Sequence, residues 1–151
     1  MSELSILGAK VTSEQTKGRL ECFPRPKHTH TVNLHTDEVY ASCPITGQPD
    51  FYTLNVTYAP KGLCVESKAF KLYVQTLATL GIFGESLATK IAQDVLDATQ
   101  AYSVDVELIQ KPRGGISITS SATAYLTDGQ PGEDIKVDLD DAGSEFDESD
   151  L

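Results

Sequence analysis

The hydrophobic period of this chain changes near Lys68, and that change limits its possible folds more than any other feature. Upstream, side chains alternate. Thr31-Val32-Asn33-Leu34-His35 reads as one strand. Phe51 to Tyr58 reads as another, with Phe51, Thr53, Asn55 and Thr57 on one side and Tyr52, Leu54, Val56 and Tyr58 on the other. After the turn Pro60-Lys61-Gly62, Leu63 to Val65 forms a short third strand. Downstream, Phe70, Val74, Leu77 and Leu80 recur at helical spacing until Gly81. A second helix, about Gly84 to Thr99, carries Leu87, Ile91 and Val95 on one stripe with Ala88, Ala92 and Leu96 beside it. Alternation then returns from Tyr102 to Ile109. The turn Lys111-Pro112-Arg113-Gly114-Gly115 leads into a last strand, Ile116 to Tyr125. Strands, two helices and a closing hairpin specify an α+β fold, an antiparallel sheet with two helices on one face.

Composition sharpens the limits of this domain. Residues 1–27 are mixed in character, end in Pro24-Arg25-Pro26, and read as an irregular arm; the folded domain is expected over residues 28–126. From Asp128 to Leu151 there are ten acids and one lysine, a net of −9. The remaining residues therefore carry only −1 of the total −10. Low hydrophobicity with high charge predicts a disordered tail over residues 127–151. The near-neutral body has no basic patch, so direct nucleic-acid binding is not expected. No apolar run is long enough to span a membrane, and no basic flank leads into an apolar leader. Three cysteines at positions 22, 43 and 64 fit neither a disulfide framework nor a zinc site, and His28-x-His30 lacks partners of metal-ligating spacing. Free thiols in a reducing cytoplasm are expected, with no metal.

Two short stretches carry the chemistry. In Cys43-Pro44-Ile45-Thr46-Gly47-Gln48-Pro49-Asp50, a cysteine is followed, after a turn, by an acid. A thiolate can add to a weak carbon electrophile while a carboxylic acid protonates the neighbouring heteroatom. About twenty residues later, Glu66-Ser67-Lys68-Ala69-Phe70-Lys71-Leu72-Tyr73 places a carboxylate, a hydroxyl and two lysines in one segment. Lys68 and Lys71 are three apart at a helix start, where ammonium groups and the helix dipole suit phosphate. A carboxylate suits the N–H donors of a purine-like ring. There is no GxGxxG after a strand and no P-loop, so a Rossmann-type cofactor site is absent.

Together these stretches resemble the nitrile reductases that convert 7-cyano-7-deazaguanine (preQ0) to its aminomethyl form with NADPH. CPITGQPD fits their CPxTGQPD signature, and ESKAFKLY fits their diagnostic motif at all eight positions. The resemblance runs from about Leu20 to Ser120 and implies the tunnelling fold (T-fold), with sheets from several subunits closing into a barrel and active sites between subunits. It implies a homo-oligomer, as stacked rings, that handles the free base. By this resemblance Cys43 forms the thioimide and Asp50 donates the proton. Val65, Glu66, Ser67, Gly84 and Glu85 hold preQ0, with Glu85 on the guanine-like edge. Ser67, Lys68, Lys71, Arg113 and Gly114 hold NADPH. The chain departs from the family at two places. Position 84 is glycine where the family has histidine, and Ala78-Thr79 stands where it has an Arg-Asn pair. A related subgroup keeps the cysteine and aspartate but adds ammonia to the thioimide; it lacks the NADPH motif that is intact here.

Overall fold

The computed structural model describes residues 18–126. The acidic tail expected over residues 127–151, and most of the arm, lie outside that range. Strands β1 (Cys22–Pro24), β2 (Val32–Ser42), β3 (Pro49–Ala59) and β4 (Leu63–Val65) come first. Helix α1 (Ser67–Thr76), a 3-10 turn (Leu77–Thr79) and helix α2 (Gly84–Thr99) follow, then β5 (Ser103–Gln110) and β6 (Thr119–Tyr125). A four-stranded antiparallel sheet has the order β2-β3-β5-β6, and β1 pairs with β4 in a separate two-stranded sheet.

The alternation of residues 51–58 decides which sheet face is covered. Tyr52, Leu54, Val56 and Tyr58 are buried, in line with Val104, Val106, Leu108 and Ala124 on β5 and β6. Against this face pack Phe70, Val74 and Leu77 from the α1 region and Leu87, Ile91, Val95 and Leu96 from α2. Both helices therefore cover one face, as expected. The other face is polar, and its side chains bond across the strands: Asn33 Nδ2 to Thr57 Oγ1 at 2.8 Å, Asn55 Nδ2 to Glu107 Oε1 at 3.2 Å, and Thr123 Oγ1 to Asp105 Oδ1 at 2.7 Å. Such a half-covered sheet is what one apolar and one polar set of alternating residues produces.

The structure revises four boundaries, one of them the last strand, which begins at Thr119 and not at Ile116. The strand read at Thr31–His35 runs on to Ser42, through a bulge between Thr36 and Val39. One extra residue there restores the inward phase, so Val39 and Ala41 are buried although the polar run Thr36-Asp37-Glu38 interrupts the alternation. Part of the expected irregular arm is a strand: Cys22 to Pro24 pairs with Val65 to Leu63, a register too short to leave a periodic signal. Helix α1 stops at Thr76, where its hydroxyl bonds the Tyr73 carbonyl at 2.6 Å, and the chain tightens to a 3-10 turn before extending at Leu80. That extension matters for function. Gly81 bridges to Ser42, with Ser42 N–H donating to Leu80 O at 2.8 Å and Ile82 N–H to Ser42 O at 3.0 Å. The start of α2 is thereby tied to the end of β2.

Candidate active site

Strands β2 and β3 are joined by the CPITGQPD turn, and its geometry brings Cys43 and Asp50 to the same end of the sheet. Cys43 N–H donates to Gln48 O at 2.7 Å, and Gly47 N–H donates to Cys43 O at 2.9 Å. Gly47 has φ +71°, a left-handed conformation that glycine adopts without strain. Hydrogen bonds from the Thr46 hydroxyl, and from the Thr46 and Ile45 N–H groups, draw the Cys43 thiol below its ordinary range. The threonine of the signature, which carried no role in the sequence, is thus what stabilises a Cys43 thiolate. The other cysteines are different: burial pushes the Cys22 thiol up to about 11, and Cys64 is buried in β4.

Asp50 is 7% exposed and faces the covered side of β3, paired in register with Ala41. Its carboxylate receives the guanidinium of Arg113, which also donates to Gln48 Oε1 at 2.6 Å. Arg113 opens a tight turn closed by reciprocal backbone bonds with Ile116 at 2.9 and 3.1 Å. Gly114 and Gly115, at φ +58° and +79°, occupy its two central positions, as a two-residue hairpin turn requires. The glycines here serve to present Arg113. The carboxylate holds the guanidinium more firmly charged than usual.

Gly84 begins α2 directly over Tyr52. A Cβ at position 84 would stand 3.1 Å from Tyr52 Cε1 and 3.4 Å from its Oη. Glu85 follows in the first turn of α2, exposed, and no side chain caps that helix. The charges of Asp50, Glu85, Cys43 and Arg113 all act on the Tyr52 phenol, which burial pushes up to about 12. Cys43, Asp50, Gly84, Glu85, Arg113 and Gly114 therefore gather at one end of the sheet around Tyr52, a residue the sequence had placed only in the core.

The second group lies elsewhere. Val65 N–H donates to Tyr58 Oη at 2.9 Å, and Tyr58 sits eight residues along β3 from Asp50, a span of roughly 27 Å at the rise of an antiparallel strand. Glu66 is buried and caps α1, accepting Lys68 N–H at 3.0 Å and Ala69 N–H at 2.8 Å with its two carboxylate oxygens. The helix start is closed by its own glutamate, which takes the Lys68 and Ala69 N–H groups. The lysine side chains remain: Lys68 is half-buried and Lys71 exposed. Ser67 and Lys71 line a cleft of about 440 Å³ with Asn33, His35, Glu38 and Phe70, a size usual for small-molecule sites. No ion pair among the described residues engages Lys71. Within one chain, then, Arg113 does not join Lys68 and Lys71; it joins Asp50.

Residues 49–127 match the family described as QueF-like protein. The chain is 38% identical over 104 residues to the NADPH-dependent 7-cyano-7-deazaguanine reductase of Frankia casuarinae, covering 69% of this chain and 83% of that one. It is 40% identical over 121 residues to the enzyme of the same name from Syntrophobacter fumaroxidans, covering 78% of each. Among solved structures it resembles the apo form of an archaeosine synthase QueF-Like, with a TM-score of 0.62, 25% identity, and coverage of 67% of this chain and 99% of that one. The α+β architecture is the tunnelling fold of these proteins, and the chain belongs to the QueF family.

Proposed function

We propose that this protein reduces the nitrile of 7-cyano-7-deazaguanine to the 7-aminomethyl form with NADPH, through a covalent thioimide on Cys43. The observation that carries this reading is the Cys43–Asp50 turn, where a thiol drawn toward its anion sits at the same sheet end as a buried carboxyl group. The reductase names of the relatives support it. Cys43 Sγ bonds to the nitrile carbon, and the electron pair released from the triple bond goes to nitrogen, which takes a proton from Asp50. Arg113 orients Asp50 and must release it, and the carboxylate must take up the proton that the Cys43 thiol loses, before it can act as an acid. Glu85, with both carboxylate oxygens open at the helix start, accepts the N–H donors of the base. Lys71, Ser67 and Lys68 would hold NADPH, which supplies the hydrides when bound. The exposed Lys71 ammonium on an open cleft fits that need. When the carbon–sulfur bond breaks, the easily formed Cys43 thiolate is the leaving group.

Val65, beside Tyr58, and Asp50 lie near opposite ends of β3, too far apart to touch one small molecule. We infer that each complete site combines the Cys43–Asp50 end of one copy with the Val65–Lys71 segment of another. Among the described residues, edge strands β2 and β6 have no outer partner strand. Exposed Ile45, Phe83 and Ile116, at 79%, 53% and 67%, belong to the same loops and helix start as the site, as a surface awaiting a second copy would. Transfer of ammonia to the thioimide is the competing chemistry, favoured only by the likeness to the archaeosine synthase; the intact ESKAFKLY motif supports reduction. Product analysis separates the two: aminomethyl product with NADPH oxidation supports reduction, whereas a formamidine made from ammonia without oxidation refutes it.

A further inference from the structure

Tyr52 is the residue of this site that no motif marks. It is 1% exposed, and its hydroxyl is the one buried side-chain polar atom among the described residues that has no hydrogen-bond partner. Tyrosine hydroxyls buried in a core normally find a partner. Tyr58, three alternation steps along the same strand face, does so by accepting from Val65 N–H. Tyr52 could have been phenylalanine if packing were its purpose, because phenylalanine fills the same space without an orphaned donor. Its position explains the choice. Asp50 precedes it by two residues on the same face of β3, and Gly84 and Glu85 open α2 above it. Gly84 has no side chain, and the phenol fills the space one would take, where the resemblance leads to a histidine.

We propose that the Tyr52 hydroxyl is a catalytic hydrogen-bond donor that stabilises negative charge on the substrate nitrogen as Cys43 adds to the nitrile carbon. This deepens the reductase reading and rests on it. When Cys43 Sγ bonds to carbon, one carbon–nitrogen π pair moves to nitrogen. Asp50 delivers the proton there, and Tyr52 donates a hydrogen bond without giving its proton away. A phenol held above its usual range stays protonated throughout the neutral range and suits that task. Closure to solvent keeps water from satisfying the hydroxyl, so the donor is preserved for an atom brought to it. Admitting that atom requires flanking side chains to re-orient, and both Glu85 and Arg113 are exposed.

The test uses Tyr52→Phe and Gly84→Ala in the full chain, with 7-cyano-7-deazaguanine and no NADPH. The rate of covalent adduct formation is followed by intact-protein mass spectrometry across pH, and folding by thermal melting. Tyr52→Phe is expected to melt no lower than the parent and to form adduct about 10²–10³-fold more slowly, the loss usual for one such donor. Gly84→Ala, whose methyl group displaces the phenol, is expected to slow adduct formation while remaining folded. An equal adduct rate in the parent and in folded Tyr52→Phe overturns the role of Tyr52. If the parent itself forms no adduct, the thioimide reading fails first, and the proposal falls with it for that separate reason.

Discussion

Arg113 donates its guanidinium to Asp50, a residue 63 positions earlier in the chain, and shares the same fork with Gln48. The contact joins the hairpin turn after β5 to the start of β3 and the turn before it. It fixes the position of the carboxyl group on which the proposed chemistry depends. Replacing Arg113 with Ala leaves Asp50 buried without its charge partner. Lysine at 113 supplies one point charge and cannot span both acceptors. We predict that both variants lose activity, Arg113→Ala by about 10²-fold or more, in the range seen when a general acid is misplaced. Steady-state kcat/KM for the two variants checks the order: alanine below lysine, lysine below parent.

The thiols should separate by pH. Hydrogen bonds to sulfur favour the anion, so Cys43 reacts at a lower pH than an ordinary thiol, while buried Cys22 needs a higher one. Iodoacetamide at neutral pH should label Cys43 first. Thr46→Val removes the largest of the stabilising bonds, raises the Cys43 pKa, and so slows labelling at neutral pH while leaving the fully ionised rate at high pH unchanged. Peptide mapping of the alkylated protein gives both results.

Much of the fold was legible because it rests on local periodicity. The alternation through Tyr52, Leu54, Val56 and Tyr58 names the buried face, and the stripe Leu87-Ile91-Val95 names the buried side of α2. Strand β2 was only half legible, since its bulge places Asp37 and Glu38 where an inward residue is due. Of the site, the Cys43–Asp50 turn is contiguous and could be read as a unit. The rest depends on contacts between distant segments. The resemblance groups Arg113 with the lysines, whereas within one chain the fold brings it to Asp50. Tyr52 looked like any core residue until Gly84 was found against its ring.

Glu66 serves the fold as well as any ligand. Both its carboxylate oxygens accept from the first turn of α1, so Glu66→Ala should destabilise the protein by about 0.5–2 kcal/mol, the usual loss of a helix cap. Glu66→Asn, which still caps, should recover most of that stability. If it does not also recover substrate affinity, the carboxylate has a second task. Urea denaturation and substrate titration of both variants distinguish these effects.

Three buried tyrosines, Tyr52, Tyr58 and Tyr73, have phenols raised chiefly by burial and make the protein sensitive to alkali. Burial pushes Tyr52 and Tyr58 up to about 12, above the usual phenol value of 10.0. The folded state keeps protons that the unfolded state loses, so this contribution is fully present below pH 10 and declines as pH rises from about 10 to 12. Melting temperature measured over that interval should fall, and should fall less in Tyr52→Phe.

If each site draws on two copies, variants damaged in the Cys43 turn and in the Val65–Lys71 segment should repair one another. Cys43→Ala and Lys71→Ala are each expected to be inactive alone. Mixed after dissociation and reassembly, they should recover a fraction of the parent rate, since some interfaces then pair an intact Cys43 end with an intact Lys71 segment. No recovery in assemblies shown to be mixed would mean that one chain supplies the whole site.

The most direct measurement combines 7-cyano-7-deazaguanine, NADPH and the purified protein, following cofactor oxidation and the masses of protein and product together. The account predicts NADPH consumption, aminomethyl product, a transient adduct on Cys43, and loss of all three in Cys43→Ala. Reduction of the nitrile by Cys43→Ala at the parent rate would contradict it.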